Sequence, residues 1–332
     1  MQFLNFSALE HNALFFKSLL SNSKLCAVVK NNAYGHGIVH IARYLDNIVD
    51  YFAVGSVEEA KKIEFVKGDI LILLPQSYSD TEVAICSGYL LSLDSFATLD
   101  NILSACVKLG KTARVHIKID SGMSRLGFKQ NEIDKLTELL TSTLNIAVEG
   151  VYSHFYGENN VDCDKQLNVF LPCARQIESA LNKPLIKHIA NSGGALLSNK
   201  YHLDMARIGL GLYGYGDTRL APVKTVTANV VAVKAVDAGN AIGYGAKYVA
   251  KDNMRVAVLN VGYALGFARS LVGSFVKING KSCKVVAVCM AMIMIDVSGL
   301  DVKVGDTAIL LGESVNVSNE TTSIYELLCN LK

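Results

Sequence analysis

The sequence is poor in charge and in proline. Asp, Glu, Lys and Arg make up only 19% of its 332 residues and proline occurs four times, against 26 glycines. Hydrophobic residues make up 51% and mean hydropathy is +0.30. So little charge on so apolar a chain excludes intrinsic disorder and calls for a large buried or interfacial surface. Neither sign of charge dominates: 32 Lys and Arg against 30 Asp and Glu leave a formal charge of +2. That is too small to attract a polyanion by electrostatics alone, so no nucleic acid and no anionic membrane surface is expected as a partner. The amino terminus lacks a basic segment followed by an apolar one, and the longest apolar run, residues 285–295, is too short to cross a bilayer. A soluble chain is the expectation.

Familiar nucleotide and hydrolase motifs are also missing. There is no Walker A sequence and no G-x-S-x-G, which leaves little support for nucleoside-triphosphate or hydrolase chemistry. The eight cysteines, at positions 26, 86, 106, 163, 173, 283, 289 and 329, include no C-x-x-C pair. Scattered in apolar runs, they read as buried core thiols in a reducing cytoplasm and not as a disulfide or zinc framework; no metal is expected. No low-complexity segment or flexible linker interrupts the chain.

What is present is a repeating pattern. Eight short β-branched runs, residues 25–29, 51–54, 70–74, 90–93, 114–119, 147–153, 186–190 and 203–207, alternate with amphipathic stretches such as 37–49, 57–66, 95–109 and 162–181. Eight βα units predict an α/β fold with a closed parallel (β/α)8 TIM barrel over residues 1–222. From about residue 223 the pattern changes to strand-like runs at 226–236, 241–250, 255–261, 275–278, 283–297 and 307–311, then a short helix at about 321–331. This predicts a mainly-β domain over 223–332. The length suits two such domains, at about 150 residues for each as a prior.

A closed βα barrel carries its chemistry where the strands end, and polar residues crowd that rim. Lys30 directly follows Cys26-Ala27-Val28-Val29, beside apolar walls that disfavour an ammonium and release the amine for Schiff-base chemistry. A plain surface lysine is the alternative. Asn191-Ser192-Gly193-Gly194 and Gly209-Leu210-Gly211 follow the seventh and eighth runs, where barrels bind phosphate through backbone amides; simple turns are the other reading. Arg125 and Arg207 sit among apolar neighbours, where each needs an anionic or planar partner in a site or else a salt bridge. His154 reads as a donor that orients Arg207 or a tyrosine, or as an ordinary structural histidine.

The run Ala27-Val28-Val29-Lys30-Asn31-Asn32-Ala33-Tyr34-Gly35-His36-Gly37 strongly resembles the pyridoxal-phosphate motif of alanine racemases. The resemblance continues in order through residues 116–127, 152–155, 188–192, 207–214 and 243–246, nearly the whole chain. It implies a fold-type III enzyme that binds pyridoxal 5'-phosphate, interconverts L- and D-alanine for peptidoglycan, and forms a head-to-tail homodimer with shared active sites. In such a fold the first few residues join the β domain.

By the same resemblance Lys30 binds the cofactor and serves as one catalytic base, with Tyr244 of the partner subunit as the other. Two bases are needed because the proton must leave one face of a planar carbanion and return on the other. Tyr34, Ser192, the Gly209 and Leu210 amides and Tyr325 correspond to the phosphate cradle, with Asn191 in the same loop. Arg207 corresponds to the partner of the pyridine nitrogen, supported by His154, and Arg125 to a contact of the cofactor's phenolic oxygen or the substrate carboxylate. Met290 matches a partner-chain residue whose amide binds that carboxylate, Tyr263 an access-corridor tyrosine, and Lys118 a lysine carbamylated in many members.

Three departures from the family pattern stand out: Leu265 and Ala291 replace aspartates, and Ala287 replaces an arginine. Together they imply a more apolar corridor. The last residue, Lys332, comes soon after Tyr325-Glu326-Leu327-Leu328-Cys329, where relatives usually continue with a basic strand, and a weakened β domain is the expectation. A racemase of another or broader amino-acid range, a degenerate racemase, and a non-catalytic pyridoxal-phosphate-binding protein are the alternatives.

Overall fold

The computed structural model describes residues 1–312 and 315–332. They divide into two compact units, one of residues 9–33 and 37–220, the other of residues 1–8, 34–36 and 221–332.

The first unit is a parallel barrel. Its strands Lys24–Val28, Tyr51–Val54, Asp69–Ile72, Leu90–Leu93, Ala113–Lys118, Ile146–Tyr152 and Ile186–His188 pair each with the next, and Met205–Ile208 pairs with Lys24–Val28. The amides of Asp204 and Arg207 bridge the remaining gap, donating to Lys187 and Ala190 carbonyls at 3.0 Å each. Strands such as Tyr51–Val54 and Leu90–Leu93 are buried at every position, as expected where helices cover one face and side chains fill the other.

Helix boundaries follow local chemistry. Ser56, Ser77, Ser95 and Asn159 each accept the amide three residues on, and Gly88 and Gly110 close their helices in the left-handed conformation. Phe6–Leu20 buries Leu9, Ala13, Phe16 and Leu20, one face of a helix.

The second unit is an antiparallel sheet of Gln2–Leu4, Lys224–Val236, Met254–Leu259, Ile293–Asp296, Lys281–Val288, Phe275–Ile278 and Thr307–Leu311, in that spatial order. Thr307–Leu311 returns to pair with Lys224–Val236 and closes the sheet on itself. The strand expected at 241–250 is instead a small hairpin. Ala241–Ile242 pairs with Tyr248–Val249, and between them the chain turns through Gly243, Gly245 and Ala246, all at positive φ. The continuous run expected at 283–297 is also two strands, because the Cys289 amide turns back to the Met292 carbonyl at 2.8 Å. With apolar residues on both faces, such a turn leaves no trace in periodicity.

The cysteines depart from expectation as well. Cys86 is exposed, and Cys289 and Cys329 are partly exposed. Among the described residues no helix is long and apolar enough to cross a membrane.

Candidate active site

Lys30 begins a turn of unusual handedness. From Asn31 to Gly35 every φ is positive, between 51° and 74°, so the residues Lys30–Gly35 wind left-handed. Asparagine tolerates this region, but for Ala33 and Tyr34 it costs about 1 kcal/mol or more each. The turn persists because it is tied at several points. Ala33 donates to the Val29 carbonyl at 2.8 Å, Gly37 to the Asn32 carbonyl at 2.9 Å, and Ile38 to Asn32 Oδ1 at 2.9 Å. Glu59, on the helix Val57–Lys62, accepts the Asn32 amide at 3.1 Å with one oxygen and the Gly55 amide at 2.8 Å with the other. Nothing in the sequence reading pointed to Glu59.

Arg207 lies one strand away, in register with Cys26, and is 3% exposed. Its guanidinium donates to neutral acceptors throughout: His188 Nδ1 at 2.8 Å, the Ser153 carbonyl at 2.7 Å and His154 Nδ1 at 3.1 Å. Since guanidinium can only donate, His188 must carry its proton on Nε2, which reaches His116 Nδ1 at 2.8 Å. Burial first, and then the charge of Arg207, hold His154 and His188 well below the usual histidine range. Both imidazoles are therefore neutral. Burial also lowers Arg207, from so high a starting value that it stays charged.

Lys118 ends the strand Ala113–Lys118 beneath the same rim, buried, with Nζ 4.5 Å from the centre of the Tyr152 ring. Arg207 lies over that ring too, at 5.1 Å, while the Tyr152 hydroxyl bonds to Ser92. Burial, then Arg207 and Arg125, push the Lys118 ammonium down to about 7. Arg125 itself is exposed and makes no ion pair among the described residues.

The two glycine loops meet at one hydroxyl. Ser192 Oγ accepts the Gly209 amide at 3.2 Å and, from the turn beyond it, the Gly211 amide at 3.0 Å. Only glycine fits there, since a Cβ at 211 would lie 2.4 Å from the Phe16 ring. Asn191 caps the Ser192–Leu197 helix, its side chain accepting the Gly194 amide at 2.9 Å.

The remaining candidates belong to the β unit. The Tyr34 and Tyr325 ring centroids are 6.0 Å apart. Tyr263 stacks beneath Arg269, whose guanidinium carbon is 4.6 Å from the ring centre. Tyr244 is 83% exposed and Met290 59%, far more than a tyrosine or methionine with a packing role. Tyr244 borders a cavity of about 390 Å³ walled by Ile242, Tyr248, Val272, Val286 and Ala287.

A parallel barrel with a lysine and a buried guanidinium at neighbouring strand ends, followed by an antiparallel unit presenting a bare tyrosine, describes a two-unit barrel enzyme. The family models for the alanine racemase N-terminal and C-terminal domains match residues 4–217 and 223–332. An alanine racemase 1 of Oceanobacillus iheyensis is 35% identical, with 98% of this chain and 94% of that protein covered. Among solved structures, the alanine racemase of Clostridium difficile 630 superposes with a TM-score of 0.90 at 32% identity, covering all of this chain and 93% of that one. That of Bartonella henselae, solved with covalently bound pyridoxal phosphate, also superposes at 0.90, with 29% identity and 100% and 96% covered. The chain belongs to the alanine racemase family, whose members are isomerases.

Proposed function

We propose that this chain is a pyridoxal-phosphate-dependent alanine racemase, active as a cytoplasmic homodimer that supplies D-alanine for peptidoglycan. The observation that carries the reading is Lys30 at the end of one barrel strand with the buried, neutrally coordinated Arg207 on the next, in a chain matched almost throughout by the family's two domain models. The residues suit the cofactor. The Ser192 hydroxyl, held by the Gly209 and Gly211 amides, keeps its own proton to donate to a phosphate oxygen, and Arg207 offers a permanent donor for a ring nitrogen.

Bound there, pyridoxal phosphate supplies the electron sink that makes the α-proton of an amino acid acidic. Lys30 holds the cofactor and carries the proton at the α-carbon on one face. Tyr244 of the partner subunit carries it on the other, and its exposure within one subunit supports that assignment. Arg207 would donate to the pyridine nitrogen and, because guanidinium does not surrender its proton, would leave that nitrogen unprotonated, which would weaken the sink and discourage side reactions. His154, accepting from Arg207 at Nδ1, keeps its Nε2 proton for the tyrosine of the partner. Tyr34, Tyr325, Ser192, the Leu210 amide and the Asn191 loop take the phosphate. Arg125 and the Met290 amide of the partner subunit orient the substrate carboxylate, and Tyr263 lines the access corridor.

Lys118 is proposed to be carbamylated. A buried amine lowered to about 7 has a substantial neutral fraction at physiological pH, and reaction with carbon dioxide, releasing one proton, turns it into an anion that can hold Arg125. The cavity beside Tyr244, with Ala287 in its wall and Lys247 and Arg269 also lining it, favours a second reading as well: a racemase that accepts side chains larger than a methyl group. An extra methylene in such a pocket discriminates by only about 10- to 200-fold.

The test is incubation with pyridoxal phosphate and L-alanine in heavy water, following chirality and α-deuterium together. D-alanine carrying deuterium is expected. Cofactor binding with neither signal for alanine or a panel of larger amino acids would reject the racemase reading.

A further inference from the structure

Lys224 is a buried cation with no role in the chemistry above. It opens the strand Lys224–Val236, is 1% exposed, and pairs with no carboxylate among the described residues. Its ammonium donates instead to two main-chain carbonyls, Leu328 at 2.9 Å and Leu331 at 2.7 Å. Both belong to the end of the C-terminal helix Ile324–Asn330 and its cap, where carbonyls lack helical partners and the helix dipole favours a positive charge. An apolar side chain would pack in this position without the cost of desolvating a charge. Burial lowers the lysine to about 8, which registers that cost.

The Leu328 carbonyl is also where a second element docks. A Cβ on Gly35 would fall 2.3 Å from that oxygen and 3.2 Å from the Cys329 carbonyl, so the backbone at 35 lies directly on the turn that Lys224 holds. Gln2 Nε2 ties the Gly35 carbonyl from the other side at 3.2 Å. Gly35 follows Tyr34, and Leu328 lies one turn beyond Tyr325. The two tyrosines are thus carried by backbones that meet at one carbonyl, and their ring centroids stand 6.0 Å apart.

We infer that Lys224 is a positioning residue for phosphate: by fixing the last turn of the C-terminal helix against Gly35, it sets the spacing of Tyr34 and Tyr325. The inference rests on the reading that these two hydroxyls take the cofactor's phosphate. A role in packing alone would weaken every ligand equally, whereas a role through the tyrosines weakens only ligands that carry the phosphate.

The experiment is equilibrium binding of pyridoxal phosphate and of pyridoxal, which lacks the phosphate, to apo wild-type protein and to Lys224→Met. The substitution is expected to weaken pyridoxal phosphate about tenfold or more, a change of about 1.4 kcal/mol, and to leave pyridoxal within about twofold. Lys224→Gln retains a neutral donor, is expected to fall between the two, and supplies the measurement if the methionine variant does not fold. Tyr325→Phe should then cost less in the variant background than in the wild type, because the two changes act on one contact. An unchanged ratio of the two affinities in both variants overturns the inference. Wild-type protein that binds pyridoxal as tightly as pyridoxal phosphate overturns the phosphate reading itself, a separate failure.

Discussion

Replacing Lys118 with methionine should remove a pH dependence of folding that this one side chain imposes. Lys118 is 7% exposed and packs against the Tyr152 ring. Burial, and after it the charges of Arg207 and Arg125, lower its ammonium from 10.5 to about 7, with only Asp94 opposing them. Because the folded value is the depressed one, the unfolded chain holds an extra proton between about 7 and 10.5. Stability contributed by this group is therefore present above 10.5 and is lost as the pH falls through 7. Within that window the slope is at most about 1.4 kcal/mol per pH unit, and the whole effect is at most about 5 kcal/mol.

The assay is urea denaturation of wild type and Lys118→Met in carbon-dioxide-free buffer, from about pH 6 to about pH 9. All other titrating groups are common to both proteins, so the difference between the curves isolates Lys118. Wild type should gain on the variant steadily above about pH 7, and parallel curves would refute the burial account. Bicarbonate added near the alkaline end should then stabilise wild type alone, since a carbamate that forms only in the folded site shifts the equilibrium by mass action. An equal response of the two proteins would remove the carbamate.

Tyr244→Phe should leave the melting temperature unchanged, the side chain being 83% exposed, and slow racemisation by about 100-fold or more while exchange of the α-proton persists through Lys30. Unaltered racemisation would take Tyr244 out of the mechanism. Gly211→Ala places a methyl 2.4 Å from the Phe16 ring and 3.3 Å from Ser192 Oγ, so a loss of about 1–3 kcal/mol in denaturant melts is expected, together with weaker phosphate binding. Undiminished stability would show that the loop yields. Specific activity should fall on dilution in step with dimer dissociation followed by sedimentation, and full activity in a monomeric sample would contradict a shared site.

The barrel was legible because its strands are short, β-branched and bounded, and every run that marked one in the sequence is a strand, with no end displaced by more than two residues. The helices Tyr78–Ser87 and Ile133–Thr141 escaped notice. The first buries only Thr81, Ala84 and Ile85, too small and too polar a stripe to register as a period. At the rim, residue types were readable and partners were not. Asn31-Asn32 is the one sequence sign of a left-handed turn, but the strain at Ala33 and Tyr34 is sustained by Glu59, which lies on another βα unit and has no motif of its own. His116 and His188 stood in the quoted motifs without a role. Their chain of tautomers exists only because Arg207 begins it, and no spacing rule brings three separate strands together.

The charges at the barrel rim explain why this arrangement asks for an anion. Lys118 and Arg207 lie buried together, with Lys30 and Arg125 near enough that their charges act on Lys118 and on His154. Asp94 is the acid that opposes them at Lys118, and one of its oxygens is already taken by the Thr98 hydroxyl at 2.6 Å. Arg207 could have been neutralised by a carboxylate; the acceptors that the fold sets around it are instead neutral imidazoles and carbonyls. A carboxylate would hold the guanidinium's donors to itself, and it would also offer a titratable proton to a ring nitrogen in the same site. Neutral acceptors fix the guanidinium's position without adding such a proton, and burial, with the cation beside it, keeps both histidines from charging. The unbalanced positive charge then awaits phosphate, carboxylate or carbamate, and each of these anions should raise the stability of the barrel by the free energy with which it binds.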